Sequence, residues 1–90
     1  MAEHRYSVRL SSSSRRAWRR LPPDVRRRAE PVLDGLSENP RPFGVIKLQG
    51  SAQLYRVRTG QYRVIYQIND AERLITITHI QHRRDAYRSL

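Results

Sequence analysis

The 90 residues contain no cysteine, which excludes a disulfide framework and any thiolate metal site. There is one lysine, Lys47. No glycine-rich phosphate loop follows a candidate strand, and no serine sits in the sharp strand-to-helix turn that a serine nucleophile needs. The three histidines, His4, His79 and His82, are neither at helical spacing nor paired with cysteine, so no metal centre is expected. Acids are few, 8 against 18 basic residues. They are scattered near helices and turns, with no plausible catalytic carboxylate pair. Long apolar runs are missing too, so no segment is expected to span a membrane. The N-terminus lacks the apolar core of a signal peptide, and a cytoplasmic protein is the simplest expectation.

Arginine is what the chain has in abundance. Apart from Lys47, every basic residue is Arg, and the net charge is +10. Arg is the better fork for phosphate and the poorer proton-transfer base. A charge of this size on one small domain points to nucleic acid, an anionic membrane surface or an acidic protein partner. Ninety residues allow one domain, 1–90, with one modest core.

The stretch Gln53–Ile68 alternates apolar and polar residues on both sides of Thr59-Gly60, the pattern of two half-buried strands around a tight turn. Tyr55 and Val57, then Tyr62, Val64, Tyr66 and Ile68, take one face. Arg56, Arg58, Arg63, Ile65 and Gln67 take the other. A two-residue loop at Thr59-Gly60 sets Arg56 opposite Arg63, whereas a four-residue loop sets Arg58 there. Both registers bring like charges together across the ladder at a cost in stability. Three arginines converging on an open sheet face suit a polyanion. The plainer reading is a solvated face with its arginines splayed into water.

Upstream, residues 4–11 alternate weakly, with Tyr6, Val8 and Leu10 on one side of an expected strand. The Ser11–Ser14 run supplies an N-cap for a first helix to about Leu21, with Ala17, Trp18 and Leu21 facing the sheet. Pro22-Pro23 ends that helix and opens a second, whose apolar stripe is Val25, Ala29, Val32, Leu33 and Leu36. Pro31 either kinks this helix or opens a separate short one; one kinked helix is favoured. Asn39-Pro40-Arg41-Pro42 begins a loop, and residues 45–50 are extended, anchored by Ile46 and Leu48. A turn at Asn69–Glu72 leads to a third meander strand, Leu74–Ile80, and a basic tail runs from Gln81 to Leu90. The expected class is α+β, in the order β-α-α-β-β-β. A helical hairpin packs on one face of a small, mostly antiparallel sheet and the other face is basic. The expected shared core is Trp18, Leu21, Val25, Leu33, Tyr55, Val64 and Tyr66.

Chemically, an Arg and Tyr set remains. Phosphodiester cleavage builds negative charge on the transferring phosphoryl group, and preorganised arginines stabilise it. Tyr87, near Arg83, can stack on a base or orient the attacking hydroxyl; it can equally anchor the C-terminus.

Several segments resemble the RelE/ParE toxin superfamily in content and order. They are Leu21-Pro22, Asn39-Pro40, Lys47–Gly50, Tyr55–Arg58, Gly60–Tyr66 and His82–Tyr87. The Tyr-Arg-Val-Ile-Tyr strand and the His-Arg-Arg-Asp-x-Tyr tail are the most specific of these. The resemblance covers nearly the whole chain and implies the toxin of a type II toxin–antitoxin pair. In the RelE branch the toxin enters the ribosomal A site and cuts mRNA by attack of a 2′-hydroxyl on the adjacent phosphate. That implies an endoribonuclease with catalytic positions at Arg56, Arg58, Arg63, Arg83 and Tyr87, and RNA contacts from Lys47, His82 and Arg84. No cofactor or metal is implied. The implied partners are an acidic antitoxin, the ribosome and mRNA, and operator DNA through the toxin–antitoxin complex. Arg56 and Arg58 depart from the best-known members, which carry Lys there. Arg does not readily give up a proton, so the general base is open. His82 is a candidate because imidazole titrates near neutrality, although a solvent-exposed His in a basic tail is the blander reading. The ParE branch shares the fold but poisons DNA gyrase, and a non-catalytic co-repressor is a third class.

Overall fold

The computed structural model describes residues 5–48, 50 and 53–84. The expectations for His4, Tyr87 and the tail beyond Arg84 lie outside the described residues. Strand β1 (Ser7–Leu10) is followed by helices α1 (Ser12–Arg20) and α2 (Pro23–Glu38). Four more strands follow: β2 (Ile46–Lys47), β3 (Leu54–Thr59), β4 (Tyr62–Asn69) and β5 (Leu74–His82).

Serine chemistry starts the helical layer. The Ser11 Oγ accepts from the Ser14 N–H at 3.2 Å, the N-cap bond that the serine run suggested. Ser14 is the buried residue of α1, and its hydroxyl donates to the Ile77 carbonyl at 2.8 Å, tying the helix to β5. A small side chain here lets the helix lie close to the sheet. One turn on, Trp18 packs against the core but is only partly covered, as large indoles commonly are. The expectation of a shared core is corrected at this residue, and also at Val25, which is half-buried. Helix α2 has Pro23 at its start and Asp24 in its first turn, where the positive end of the helix favours a carboxylate. It runs through Pro31 as one helix and buries Ala29, Leu33 and Leu36.

The five strands form one mixed sheet in the order β1-β5-β4-β3-β2. β1 runs parallel to β5, because the helical hairpin carries the chain back before the meander begins, and the other pairs are antiparallel. Tyr55 faces Tyr66 and Val57 faces Val64 across β3 and β4, so their apolar faces coincide as alternation demanded. Leu21, Leu33 and Leu36 meet Tyr55, Val64, Tyr66, Ile68, Ile75, Ile77 and Ile80 in the core. β2 has only two residues, and Ile46 is exposed rather than an anchor. Its register sets it opposite Arg56, on the sheet face away from the helices. Val45 packs on the core in its stead.

At the β4–β5 turn, Arg41 forms a forked pair with Asp70, at 3.3 Å from Nη1 to Oδ1 and 2.9 Å from Nη2 to Oδ2. The Arg41 Nε donates to the Tyr55 hydroxyl at 3.1 Å, and its guanidinium lies 5.1 Å from that ring's centre. The Tyr6 hydroxyl donates to Asp70 at 2.5 Å, and the Tyr66 hydroxyl donates to the Pro40 carbonyl at 2.7 Å. The hydrogen bonds from Arg41 and then Tyr6 hold the Asp70 carboxyl below its usual range. Burial pushes the Tyr66 phenol up to about 12. This clasp joins the start of β1, the loop after α2 and the end of β4.

Candidate nucleic-acid interface

Two backbone irregularities aim the arginines. The first is the hairpin turn. Thr59 pairs with Tyr62, so the loop is Gly60-Gln61, one residue later than alternation alone suggested. Gly60 has φ +59°, which a glycine adopts at no steric cost at the first loop position. This register places Arg58 directly opposite Arg63. The Ile68 N–H bonds to the Gln53 carbonyl, and bonding pairs recur every second residue. Arg58 and Arg63 are therefore a non-hydrogen-bonded pair, the kind whose Cα atoms approach to about 4.5 Å.

The second is a β-bulge in β5. Ile65 pairs with His79 but Tyr66 pairs with Ile77, leaving Thr78 as the extra residue. Its hydroxyl donates to the Ile65 carbonyl at 3.1 Å. Before the bulge Ile75 and Ile77 face the core; after it Ile80 does. The phase of alternation therefore flips, and Gln81 comes opposite Arg63 on the basic face. The Arg83 N–H then bonds to the Gln61 carbonyl at 2.7 Å, continuing the ladder past β5. Without the extra residue, Arg83 would project from the other side.

The result is a cavity of about 150 Å³ lined by Arg58, Gly60, Gln61, Tyr62, Arg63 and Arg83. None of these is acidic. Three fixed positive charges around a space of this size suit a phosphate group with a few waters, at about 30 Å³ each.

The remaining expected site residues are placed as follows. Arg56 shares the face of Arg58 and lines a neighbouring groove. Lys47 pairs with Tyr55, so its register belongs to the helix-side face and it does not line the arginine cavity. His82 pairs with Tyr62, its ring edge-on to the tyrosine with centroids 5.1 Å apart. It lines a separate surface pocket with Gln61, Arg83 and Arg84, and its register with Tyr62 sets it on the helix-side face of the sheet. The His82 Nδ1 accepts from the Arg84 N–H at 3.1 Å, so the neutral ring carries its proton on Nε2. Gln81 and His82 belong to β5, where a basic tail was expected. Sequence reasoning missed Gln61 and the fully exposed Phe43. It also missed the bulge, whose signal is the three-residue step from Ile77 to Ile80 where the strand otherwise steps by two.

Residues 6–87 match the family described as the ParE toxin of type II toxin-antitoxin system, parDE. The chain is 32% identical over 84 residues to toxin RelG of Mycobacterium tuberculosis, covering 92% of this chain and 97% of that one. It is likewise 32% identical to toxin RelE of the same organism, covering 96% and 90%. Among solved structures, the archaeal RelE–RelB complex from Pyrococcus horikoshii superposes with a TM-score of 0.77 at 37% identity, covering 87% of this chain and 94% of that one. A mixed five-stranded sheet under two helices, carrying a basic hairpin, is thus the fold of a known class of small toxins. The chain belongs to the ParE toxin family of type II toxin–antitoxin systems.

Proposed function

We propose that this toxin is a ribosome-dependent endoribonuclease that inhibits translation by cutting mRNA. The observation that carries the reading is the convergence of Arg58, Arg63 and Arg83 on one cavity whose described lining holds no acid. In the reaction the 2′-oxygen attacks the adjacent phosphorus, the bond to the 5′-oxygen breaks, and a 2′,3′-cyclic phosphate and a 5′-hydroxyl result. Charge accumulates on the non-bridging oxygens, where the three guanidinium groups stabilise it. The 2′-hydroxyl proton must leave and the 5′-oxygen must gain one. Water carries both, since the neutral His82 ring, its Nδ1 engaged by the Arg84 N–H, has neither a free basic nitrogen nor an acidic N–H. Arg56 extends the phosphate track along the same face, Arg84 adds charge beside the cavity, and Tyr87 stacks on or orients the mRNA. Lys47 contacts RNA from the edge of the sheet.

An acidic antitoxin is the natural partner of a +10 chain with this face open. The similarity to a RelE structure solved with its RelB supports that pairing. Ribosome and operator DNA are further polyanionic partners of the same kind, the DNA reached through the toxin–antitoxin complex, and the cytoplasm is where such partners meet. The ParE description of the family favours a second reading, inhibition of DNA gyrase.

The test is cleavage of mRNA on purified, programmed ribosomes. Loss of one preorganised donor to a transition-state oxyanion typically costs about 10²–10³ in rate. Arg63→Ala and Arg83→Ala should show losses of that order while folding normally and still binding antitoxin. Full activity in Arg63→Ala would remove the catalytic assignment. An inactive wild type that inhibits gyrase supercoiling would establish the second reading.

A further inference from the structure

Beside the arginine cavity lies a groove of about 450 Å³ lined by Phe43, Gly44, Ile46, Arg56, Val57 and Arg58. Arg58 lines both spaces, so they adjoin. Phe43 is 107% exposed and Ile46 47% exposed, and they are the large apolar side chains that the described fold leaves in water. The backbone here is open as well. β2 pairs with Tyr55 and Arg56 and goes no further along β3. The Leu48 N–H bonds to the Leu54 carbonyl, which fixes that edge of β3. Two residues on, Arg56 faces the same edge beside Ile46; two further on, Arg58 directs its N–H and C=O toward the groove, past the end of β2.

From this placement we infer that the groove is a nucleobase subsite, seating a base that adjoins the phosphate held by Arg58, Arg63 and Arg83. The inference rests on the RNA-cleavage reading and names where the substrate goes next. Phe43 supplies a π-face for stacking, which single-stranded RNA recognition commonly uses. The main-chain N–H and C=O of Arg58 offer one donor and one acceptor to a base edge. Arg56 meets the next phosphate, and its positive charge and the arginine cavity adjoining at Arg58 favour a nucleotide over an uncharged peptide. An acidic peptide strand adding to the same edge is the competing occupant.

The experiment measures kcat/KM for mRNA cleavage on programmed ribosomes, using intact mRNA and mRNA with an abasic nucleotide placed in turn on either side of the scissile phosphate. Phe43→Ala should lower kcat/KM on intact mRNA by roughly 5- to 100-fold, the range of one lost base stack. Phe43→Trp should restore it. One of the two abasic messages should be cut by wild type and Phe43→Ala at the same reduced rate, because the stacked base is already gone. Phe43 is fully exposed, so the variant should melt with the wild type. Unchanged cleavage by Phe43→Ala, with Arg58→Gln still impaired, overturns the subsite and leaves the RNase reading standing. A Phe43→Ala variant normal on mRNA but weakened toward its antitoxin assigns the groove to the peptide and also overturns the inference. A wild type that cuts no message removes both readings together.

Discussion

Replacing Arg58 with Gln should make the free protein more stable and a poorer binder of phosphate. Arg58 stands directly opposite Arg63 in a non-hydrogen-bonded pair, where cross-strand Cβ atoms lie about 4.5–5.5 Å apart. Two unit charges at roughly 4–6 Å in a water-like dielectric repel by about 0.7–1 kcal/mol. Long side chains can splay and recover part of this, which agrees with the 0.2–1 kcal/mol range of cross-strand pair energies. Arg58 is exposed and its substitution opens no cavity. A gain of about 0.5–1 kcal/mol corresponds to roughly 2–8 °C in Tm for a domain of this size. The assay is thermal unfolding of wild type and Arg58→Gln at 20 mM and at 1 M sodium chloride. The Debye length is about 3 Å at 1 M, so the gain should largely vanish there. Added inorganic phosphate should raise the wild-type Tm more than the variant's, since it binds the folded cavity. A variant that melts below the wild type at low salt would refute the repulsion, and equal phosphate responses would refute the anion site.

Leu36 is wholly buried, so Leu36→Ala should cost about 2–5 kcal/mol in urea unfolding; Trp18→Ala, at a half-covered position, should cost less than the ~3–5 kcal/mol of a fully buried ring. Asp70 is held below its usual range, so its contribution is present above about pH 4 and is lost as pH falls through the depressed value. Asp70→Asn should flatten the acid limb of the stability–pH curve, measured by urea midpoints from pH 2 to 7. Tyr66 titrates near 12 when folded against about 10 unfolded, so stability should be full below pH 10 and fall as pH rises from there toward 12. Tyr66→Phe should remove that loss, while giving up about 1 kcal/mol at neutral pH with the bond to Pro40.

The hairpin was legible because period-two alternation is a local signal and a register slip would expose Tyr55 and Tyr66. The serine cap and the proline punctuation of the helices were legible for the same reason. The turn position was not, because Gly60 can serve in either loop length and only the paired register decides which. The edge strand misled: Ile46 belongs to an extended segment whose partner, Arg56, faces away from the core, and apolar character alone does not report a face. The Arg41 clasp joins residues 14 to 64 positions apart along the chain, beyond anything local spacing encodes. Arg63 could be placed on the basic face from its strand alone. Arg83 could not, since its side depends on the residue inserted at Thr78.

That dependence explains how one small sheet holds a site that its own electrostatics disfavour. Arg63 and Asp70 lie at opposite ends of β4, seven residues or about 23 Å apart at strand rise. At the Asp70 end, an acid, an arginine and two phenols satisfy one another, and a third phenol bonds the Pro40 carbonyl. At the Arg63 end no carboxylate among the described residues lines the cavity, and the arginines are aimed by a glycine turn and a bulge. Backbone devices set a side chain's direction independently of its charge. An acidic side chain there would lower the repulsion of the free protein but would compete with the phosphate the site is proposed to take. Either RNA or an acidic antitoxin can bring further counter-charge to the cavity. Occupancy by one should exclude the other wherever their contacts share Arg58, Arg63 or Arg83, because two polyanions cannot hold the same guanidinium group at once.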